Sequence, residues 1–151
     1  MSPKKKKIDV LLGADHGGVA LKDELLPFLT ELGVTWEDLG TFGPEAVDYP
    51  DLALQVARSI AAGEAPRGIL VCGSGIGMAI AANRVPGVRA AVCNDLFSAR
   101  VARAHNNANI LALGGRMIGL GLAREIVTIF LKTPFEKGRH LRRIRKIEGG
   151  C

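Results

Sequence analysis

The sequence has few aromatic residues, few cysteines and no long apolar run. Aromatic residues make up 5% of the 151 residues, as one Trp, one Tyr and five Phe, and this scarcity argues against nucleic-acid binding by base stacking. Three cysteines are too few for a disulfide scaffold, so a reducing cytoplasm is the simplest setting. No apolar run approaches the ~20 residues of a membrane-spanning helix, and the N-terminal lysines do not precede a signal-peptide core.

Positive charge is scarce in the middle of the chain and concentrated at its two ends. The formal net charge is +5, yet residues 8–136 hold ten Lys and Arg against fourteen Asp and Glu. Residues 1–7 contain four lysines, and residues 137–147 contain six basic residues and no acid. We expect residues 1–7 to form a disordered basic tail. Residues 8–151 are expected to form a single domain, because a chain of this length and 48% hydrophobic content can bury a core.

Short apolar runs alternate with amphipathic stretches along the whole chain. This alternation predicts a Rossmann-like three-layer α/β/α sandwich with a five-stranded parallel sheet. Ligands of such folds bind beyond the carboxyl ends of the strands. The predicted strands cover residues 8–14, 34–39, 69–72, 89–93 and 109–113, and the predicted helices include residues 21–32, 50–61, 98–104, 120–131 and 139–147.

A glycine-rich segment, residues 73–77, follows the third predicted strand and leads into a helix. Bare backbone N–H groups at such a helix start bind oxyanions, and the same field would favour the thiolate form of Cys72. A buried cysteine before a tight turn is the alternative interpretation. The glycines are one residue short of the G-x-G-x-x-G spacing of dinucleotide sites, so a nicotinamide cofactor is the poorer interpretation.

Ionisable residues follow other predicted strands. Asp15 and His16 come directly after the first strand, although Asp15 could instead cap the next helix and His16 could be a surface residue. Arg116 places a cation after the fifth strand. Arg139 and Arg143 are spaced i, i+4 on the basic terminal helix, which suits a phosphate clamp, with a solvated basic face as the alternative.

His105 lies at the end of a predicted helix that returns to the opposite edge of the sheet. A histidine at a helix C-terminus is usually structural, since the helix dipole favours it there. The topology would place His105 far from Cys72 within one subunit. A site shared between two subunits would bring the two side chains together.

Taken in order, the motifs at residues 15–18, 48–50, 72–77, 105–106 and 138–140 resemble ribose-5-phosphate isomerase B. The wider family includes galactose-6-phosphate isomerase subunits, and the resemblance covers residues 8–147. It implies an aldose–ketose isomerase of the pentose phosphate pathway that interconverts D-ribose 5-phosphate and D-ribulose 5-phosphate. It also implies a homodimer or dimer of dimers with shared active sites, and neither a metal nor an organic cofactor.

The resemblance also implies a role for each matching residue. Cys72 matches the proton acceptor, His105 the acid/base that opens the furanose ring, and Ser74 a catalytic hydroxyl that holds a substrate oxygen. The implied substrate contacts are Asp15, His16, Tyr49, Gly73, Gly75, Ile76, Gly77, Asn106, Arg116, Arg139 and Arg143, the last two reaching across from the partner subunit.

Two positions depart from the family pattern. Some members have a glutamate as the base where this chain has Met78, which cannot accept a proton and leaves Cys72 as the candidate. Many members have an aspartate where this chain has Asn107, so any help that the aspartate gives to the histidine is in doubt.

Three alternatives remain open at this point. An isomerase of six-carbon sugar phosphates, such as allose or galactose 6-phosphate, would differ in pocket length, for which residues 41–47 and 94–97 are candidates. A nucleotide- or nucleic-acid-binding module would use the glycine loop and the basic ends, with a steep salt dependence. A catalytically inactive subunit is opposed by the presence of Cys72, Ser74 and His105 together.

Overall fold

The computed structural model describes residues 3–149, in which strands and helices alternate. Five strands form one parallel sheet, as the sequence predicts, and the structure shows their order to be β2-β1-β3-β5-β4. The strands are β1 (Val10–Ala14), β2 (Trp36–Asp38), β3 (Arg67–Cys72), β4 (Ala90–Val92) and β5 (Ile110–Gly114). The helices are α1 (Val19–Glu31), α2 (Tyr49–Ala61), α3 (Ile76–Ala82), α4 (Leu96–Ala104), α5 (Leu120–Lys132) and α6 (Arg139–Ile147).

The sheet lies between two helical layers, and this explains the apolar runs in the sequence. Every residue of β1 and β5 is buried, as is nearly all of β3, because these strands are covered on both faces. Leu25 of α1 and Phe130 of α5 pack on one face of the sheet, in a core that also includes residues of α4. Val56 of α2 and Met78 of α3 pack on the other face. The predicted three-layer sandwich is confirmed.

β2 is shorter than the sequence predicts, with three residues in place of six. The Asp9 carboxylate accepts hydrogen bonds from the backbone N–H and the hydroxyl of Thr35, at 2.9 and 2.8 Å. These side-chain bonds join the two segments just before β1 and β2 pair. The apolar pattern includes these flanking residues, which explains why both predicted strands begin too early.

The helix starts follow local rules that the sequence reveals. Asp95 caps α4, because its carboxylate accepts the Ser98 N–H at 2.7 Å. That backbone hydrogen bond, with a second from the Ser98 hydroxyl, lowers the pKa of Asp95. Pro50 stands in the first turn of α2, where its missing N–H costs nothing.

The topology places a crevice between β1 and β3. β1 pairs with β2 on one side and with β3 on the other. The connection from β1 to β2 therefore runs towards one edge of the sheet, and the connection from β2 to β3 returns past β1 to its other side. Such a switch point leaves a gap beyond the carboxyl ends of the two strands, where ligands bind in open parallel sheets.

The N-terminal extension lies outside this sandwich. Residues 3–7 are exposed and belong to no helix or strand, and their disorder stays a prediction. Residues 1–2 of the predicted tail, and Cys151 at the other end, lie outside the described residues. Between residues 3 and 149, no helix combines the length and the apolar character needed to cross a membrane.

Candidate active site

The predicted site residues separate into two groups at opposite edges of the sheet. The carboxyl-edge cluster consists of Asp15, His16, Tyr49, Cys72, residues 73–77 and Arg116. The amino-edge cluster consists of the predicted residues His105, Asn106, Arg139 and Arg143, together with Glu136 and His140, to which the sequence analysis assigns no role. The five residues of β5 run between the two edges, and at about 3.3 Å per residue they separate the clusters by roughly 15 Å.

Cys72 is the last residue of β3, and its side chain is buried at the start of the glycine-rich loop. Its Sγ accepts a hydrogen bond from the backbone N–H of Gly75 at 3.0 Å. Gly75 has φ +79°, a left-handed conformation that glycine adopts without strain. The turn therefore aims an N–H at the sulfur, and a hydrogen bond of this kind stabilises negative charge on it.

Cys93 shows what a structural cysteine looks like in the same sheet. It follows β4, is completely buried, and is a free thiol like Cys72. Burial raises its pKa to about 11, although the Ser98 hydrogen bond opposes the shift. Cys93 is therefore a neutral thiol at physiological pH, whereas Cys72 has a donor directed at its sulfur.

The rest of the loop provides hydrogen-bond donors. The Ser74 Oγ accepts the Ile76 N–H at 3.2 Å, which leaves the hydroxyl hydrogen available to donate to a ligand. Within residues 3–149, the backbone N–H groups of Gly73 and Ser74 have no protein acceptor. The loop thus combines one sulfur with several donors, the arrangement needed beside an oxyanion.

Asp15 and His16 lie beside this loop at the end of β1. The buried Asp15 carboxylate accepts the Gly17 N–H at 2.8 Å, and a Cβ on Gly17 would come within 3.1 Å of the Gly73 nitrogen. The Nδ1 of His16 accepts the Val47 N–H at 3.2 Å, so a neutral ring carries its proton on Nε2. The N-cap residue of α1 is Gly18, and no side chain forms a capping hydrogen bond there. Asp15 therefore does not cap α1.

Tyr49 and Arg116 enclose the loop from two sides. A Cβ on Gly77 would lie 2.7 Å from the Tyr49 ring, and one on Gly73 would lie 3.4 Å from the Arg116 guanidinium. Glycine at these two positions lets both side chains approach the backbone. Met78 is buried in the core, so the position that is a glutamate in some relatives faces away from solvent here.

The amino-edge cluster is built around two stacked histidines. The rings of His105 and His140 have their centroids 4.3 Å apart and are tilted by only 10°. Their Nε2 atoms lie 3.8 and 3.7 Å from the same oxygen of Glu136. Burial lowers the pKa of His140, and the charges of His105 and Arg139 lower it further against the opposing effect of Glu136.

Asn107 supports the turn after His105 and does not face the histidine. Its φ is +46°, and its side-chain oxygen accepts a hydrogen bond from the Arg103 Nη1 at 2.9 Å. Burial lowers the pKa of Arg103 to about 10, and the neighbouring Arg67 and Arg89 add to the shift. The side chain at position 107 therefore provides a hydrogen-bond acceptor for the buried Arg103.

Asn106 is exposed, and its carbonyl oxygen accepts a hydrogen bond from Arg89 at 3.1 Å. It borders a groove of about 570 Å³ between residues 83–91 and the end of α6. No residue of the carboxyl-edge cluster lines this groove. The groove is therefore separate from the crevice that contains Cys72.

Arg139 and Arg143 are both exposed on α6 and flank the buried stripe of His140 and Ile144. Their i, i+4 spacing places both guanidinium groups on one side of the helix. The structure brings them beside His105 and separates them from Cys72. The sequence-based expectation of a long distance between His105 and Cys72 is confirmed.

The sequence analysis missed Glu136 and gave no role to His140. No helical spacing links them, because Glu136 precedes α6 and the intervening Lys137 and Gly138 have positive φ. Nothing local indicates that this pair faces His105, because that contact depends on how α6 packs against the end of α4.

The comparisons with known proteins agree with the geometry. A family model described as Ribose/Galactose Isomerase matches residues 10–147. The chain is 46% identical over 138 residues to the ribose-5-phosphate isomerase B of Escherichia coli, covering 91% of this chain and 93% of that protein. It is 42% identical over 142 residues to the D-erythrulose-4-phosphate isomerase of Pectobacterium atrosepticum, covering 93% of each. The solved structure of ribose-5-phosphate isomerase B from Clostridium thermocellum superposes with a TM-score of 0.92 at 51% identity, covering 94% and 96% of the two chains.

Proposed function

The chain belongs to the ribose/galactose isomerase family and is a sugar-phosphate isomerase, and from this premise we propose that it interconverts D-ribose 5-phosphate and D-ribulose 5-phosphate. The substrate is supported by the relatives that bear the name ribose-5-phosphate isomerase B. We propose that the reaction takes place in the cytoplasm, where Cys72 and Cys93 would stay reduced.

The observation that carries the proposal is the position of the Cys72 sulfur. It lies at the carboxyl end of β3, beside the β1/β3 switch point, and accepts a backbone N–H from its own loop. A base in this position can take a proton from a sugar carbon bound in the crevice. We propose that Asp15, whose second oxygen is unbonded among the described residues, and His16 bind sugar hydroxyls.

The first chemical step is opening of the furanose ring. It needs one group that accepts the proton of the anomeric hydroxyl and one that protonates the ring oxygen. His105 is the candidate, because an imidazole performs both transfers near neutral pH. Its side chain is partly exposed, at 38%, and is therefore accessible to a ligand.

The second step moves a proton between C2 and C1 of the open sugar. The Cys72 thiolate takes the C2 proton and forms an enediolate with its charge on O1. A proton then moves from the C2 hydroxyl to O1, and the Cys72 thiol returns its proton to C1 as the C2 carbonyl forms, so the enzyme ends unchanged. The negative oxygen of the enediolate needs donors already in place, which the free N–H groups of the loop and the Ser74 hydroxyl provide. Tyr49, Ile76, Gly77 and Arg116 would complete the walls of this site.

The two clusters cannot act on one sugar within a single chain, because the sheet separates them. We propose a homodimer or dimer of dimers in which the amino-edge cluster of one subunit faces the carboxyl-edge cluster of its partner. Arg139 and Arg143 would then bind the phosphate, and Asn106 would bind the sugar. The exposed apolar side chains at the carboxyl edge, Ile76, Phe97 and Met117, support burial of this edge in an assembly.

One assay tests the proposed substrate. The purified protein is given D-ribose 5-phosphate, and formation of D-ribulose 5-phosphate is followed, with D-allose 6-phosphate and D-erythrose 4-phosphate in parallel. We expect the highest kcat/KM with ribose 5-phosphate. A higher kcat/KM with allose 6-phosphate would replace this proposal with the six-carbon alternative.

A further inference from the structure

We propose that His105, Glu136 and His140 form an inhibitory binding site for a divalent transition-metal ion such as Zn²⁺. One ligand atom from each of the three residues lies within 4.8 Å of the other two. The binding part of this inference is independent of the proposed function. The inhibition part rests on it, because it assigns His105 to ring opening.

The donor set suits zinc and disfavours the hard cations. Two imidazole nitrogens and one carboxylate oxygen, with water in the fourth position, are ligands that Zn²⁺ accepts, whereas Mg²⁺ and Ca²⁺ prefer oxygen alone. Two ligand atoms that are each about 2.1 Å from one tetrahedral ion are about 3.4 Å apart. The nitrogen–oxygen distances of 3.8 and 3.7 Å are slightly longer, and a small rotation of the exposed Glu136 side chain would close them.

A second observation points to a ligand at this place. His140 is only 6% exposed, and its Nε2 has no hydrogen-bond partner within residues 3–149. A buried polar atom without a partner is destabilising, because it has lost its hydrogen bonds to water. The unsatisfied nitrogen faces Glu136 and the partly exposed His105, and an ion held between the three would satisfy it.

Two features limit the affinity. The nearly parallel histidine rings direct their lone pairs alongside one another, so the more exposed His105 ring must rotate to meet an ion shared with His140. Arg139 and Arg143 stand on the same helix, and their charge opposes a dication. We therefore expect micromolar and reversible binding, typical of a regulatory or inhibitory ion.

Binding of the ion would block turnover through His105. A metal-bound Nε2 has no lone pair left to accept the proton of the anomeric hydroxyl, so the ring stays closed. None of the three ligands belongs to Cys72 or its loop, so the ion would leave the groups that move the carbon-bound proton in place. Inhibition should therefore be stronger for a cyclic sugar phosphate than for one that is always open.

Calorimetry tests the site directly. Metal-free protein is titrated with ZnCl₂, and separately with MgCl₂, by isothermal titration calorimetry. We expect one Zn²⁺ per chain and no binding of Mg²⁺. Glu136→Gln, an exposed position, should weaken zinc binding at least tenfold, and His140→Asn should do the same with an unchanged circular dichroism spectrum. The matched control Glu125→Gln, an exposed glutamate on α5, should bind zinc like the unsubstituted protein.

Cysteine thiolates also bind zinc. Two measurements distinguish zinc bound at Cys72 from zinc bound at the histidine site. Cys72→Ser should retain zinc binding, and the Co²⁺-loaded protein should show no sulfur-to-cobalt absorption band. Equal zinc affinity in Glu136→Gln, His140→Asn and the unsubstituted protein would overturn the site, as would loss of binding in Cys72→Ser.

Measurements of isomerase activity test the inhibitory role independently of the calorimetry. Zn²⁺ should slow ribose 5-phosphate isomerisation at the concentration that saturates the calorimetric site, and EDTA should restore the rate. Zinc binding without inhibition would contradict the inhibitory role. A protein that does not isomerise ribose 5-phosphate would refute the proposed function, while the calorimetry would still decide the metal site.

Discussion

The carboxyl-edge and amino-edge clusters differ in what holds their side chains in place. At the carboxyl edge, the side chains of Asp15, His16, Cys72 and Ser74 all accept hydrogen bonds from backbone N–H groups. At the amino edge, His105 and His140 are placed by ring stacking and by a shared carboxylate. The first arrangement is dictated by the strand ends and is complete within one chain. The second depends on the packing of α6.

This difference indicates which step each cluster would perform. The carboxyl-edge cluster suits proton abstraction from carbon, and the amino-edge cluster suits ring opening and phosphate binding. Proton abstraction from carbon needs a rigidly placed base and preformed donors, which a turn between a strand and a helix provides. Ring opening and phosphate binding are less demanding in geometry, and the long exposed side chains of Arg139 and Arg143 suit them. If the division is correct, substitutions at the two edges should affect different kinetic quantities.

Cys72→Ala should have the largest effect. Loss of the base should lower kcat by about 10³-fold, the middle of the 10²–10⁴-fold range that general-base catalysis contributes. The shift in Tm caused by ribose 5-phosphate should persist, because the loop donors and the arginines remain. Cys93→Ala is the matched control and should keep a kcat close to that of the unsubstituted enzyme. Comparable loss in the two variants would show that Cys72 acts through packing.

His105→Asn should discriminate between substrates. D-Ribose 5-phosphate must be opened, whereas D-erythrose 4-phosphate cannot close to a furanose because its C4 hydroxyl is esterified. We expect a loss of about 10²-fold in kcat/KM for ribose 5-phosphate and a much smaller loss for erythrose 4-phosphate, measured with the same enzyme preparation. Equal losses on both sugars would remove His105 from ring opening.

Arg143→Ala should raise KM with little change in kcat. A hydrogen bond to a charged group is worth about 1.5–3 kcal/mol, so the increase in KM should be roughly tenfold or more. Arg145→Ala removes an equally exposed arginine two residues further along α6 and should leave KM unchanged. An unchanged KM in Arg143→Ala would exclude this residue from the phosphate site.

Asn107→Asp should have the smallest effect of the four substitutions. The quantity it changes is the free energy of unfolding. A carboxylate beside the buried Arg103 would replace a neutral acceptor with a charged one and stabilise the fold by about 1 kcal/mol. The folded-state pKa of that carboxyl would be depressed, so the gain is present above the unfolded pKa of about 4 and is lost as pH falls below it. Urea unfolding at pH 7 and pH 3 measures the difference. Asn106→Asp, at the exposed neighbour, should show no gain at either pH.

The carboxyl-edge cluster could be predicted from sequence because its signals are local. The glycines at 73, 75 and 77 mark a turn, and Cys72 directly precedes it. Residues 72–77, which are adjacent in the sequence, therefore define the loop. Parallel strands bring their carboxyl ends to one edge, which places Asp15 in the same region. The Asp95 cap and the position of Pro50 were predictable for the same reason.

The rest of the structure depends on contacts between distant segments. Glu136 meets His105 across 31 positions of the chain, and no periodicity indicates that α6 folds back on the end of α4. β1 and β2 each begin one residue after the hydrogen-bonded pair Asp9 and Thr35, and a hydropathy pattern does not contain these bonds. The family resemblance implies a role for His105, but only the folded chain shows that His140 stacks on it.

A heterodimer of two inactive variants tests the shared site most directly. Cys72→Ala and His105→Asn chains are co-expressed with different affinity tags, and the mixed dimer is purified through both tags. If each site takes Cys72 from one subunit and His105 from the other, one of the two sites is intact, and symmetry predicts about half of the wild-type kcat per dimer. A mixed dimer no more active than the mean of its two parents would contradict a site shared between subunits.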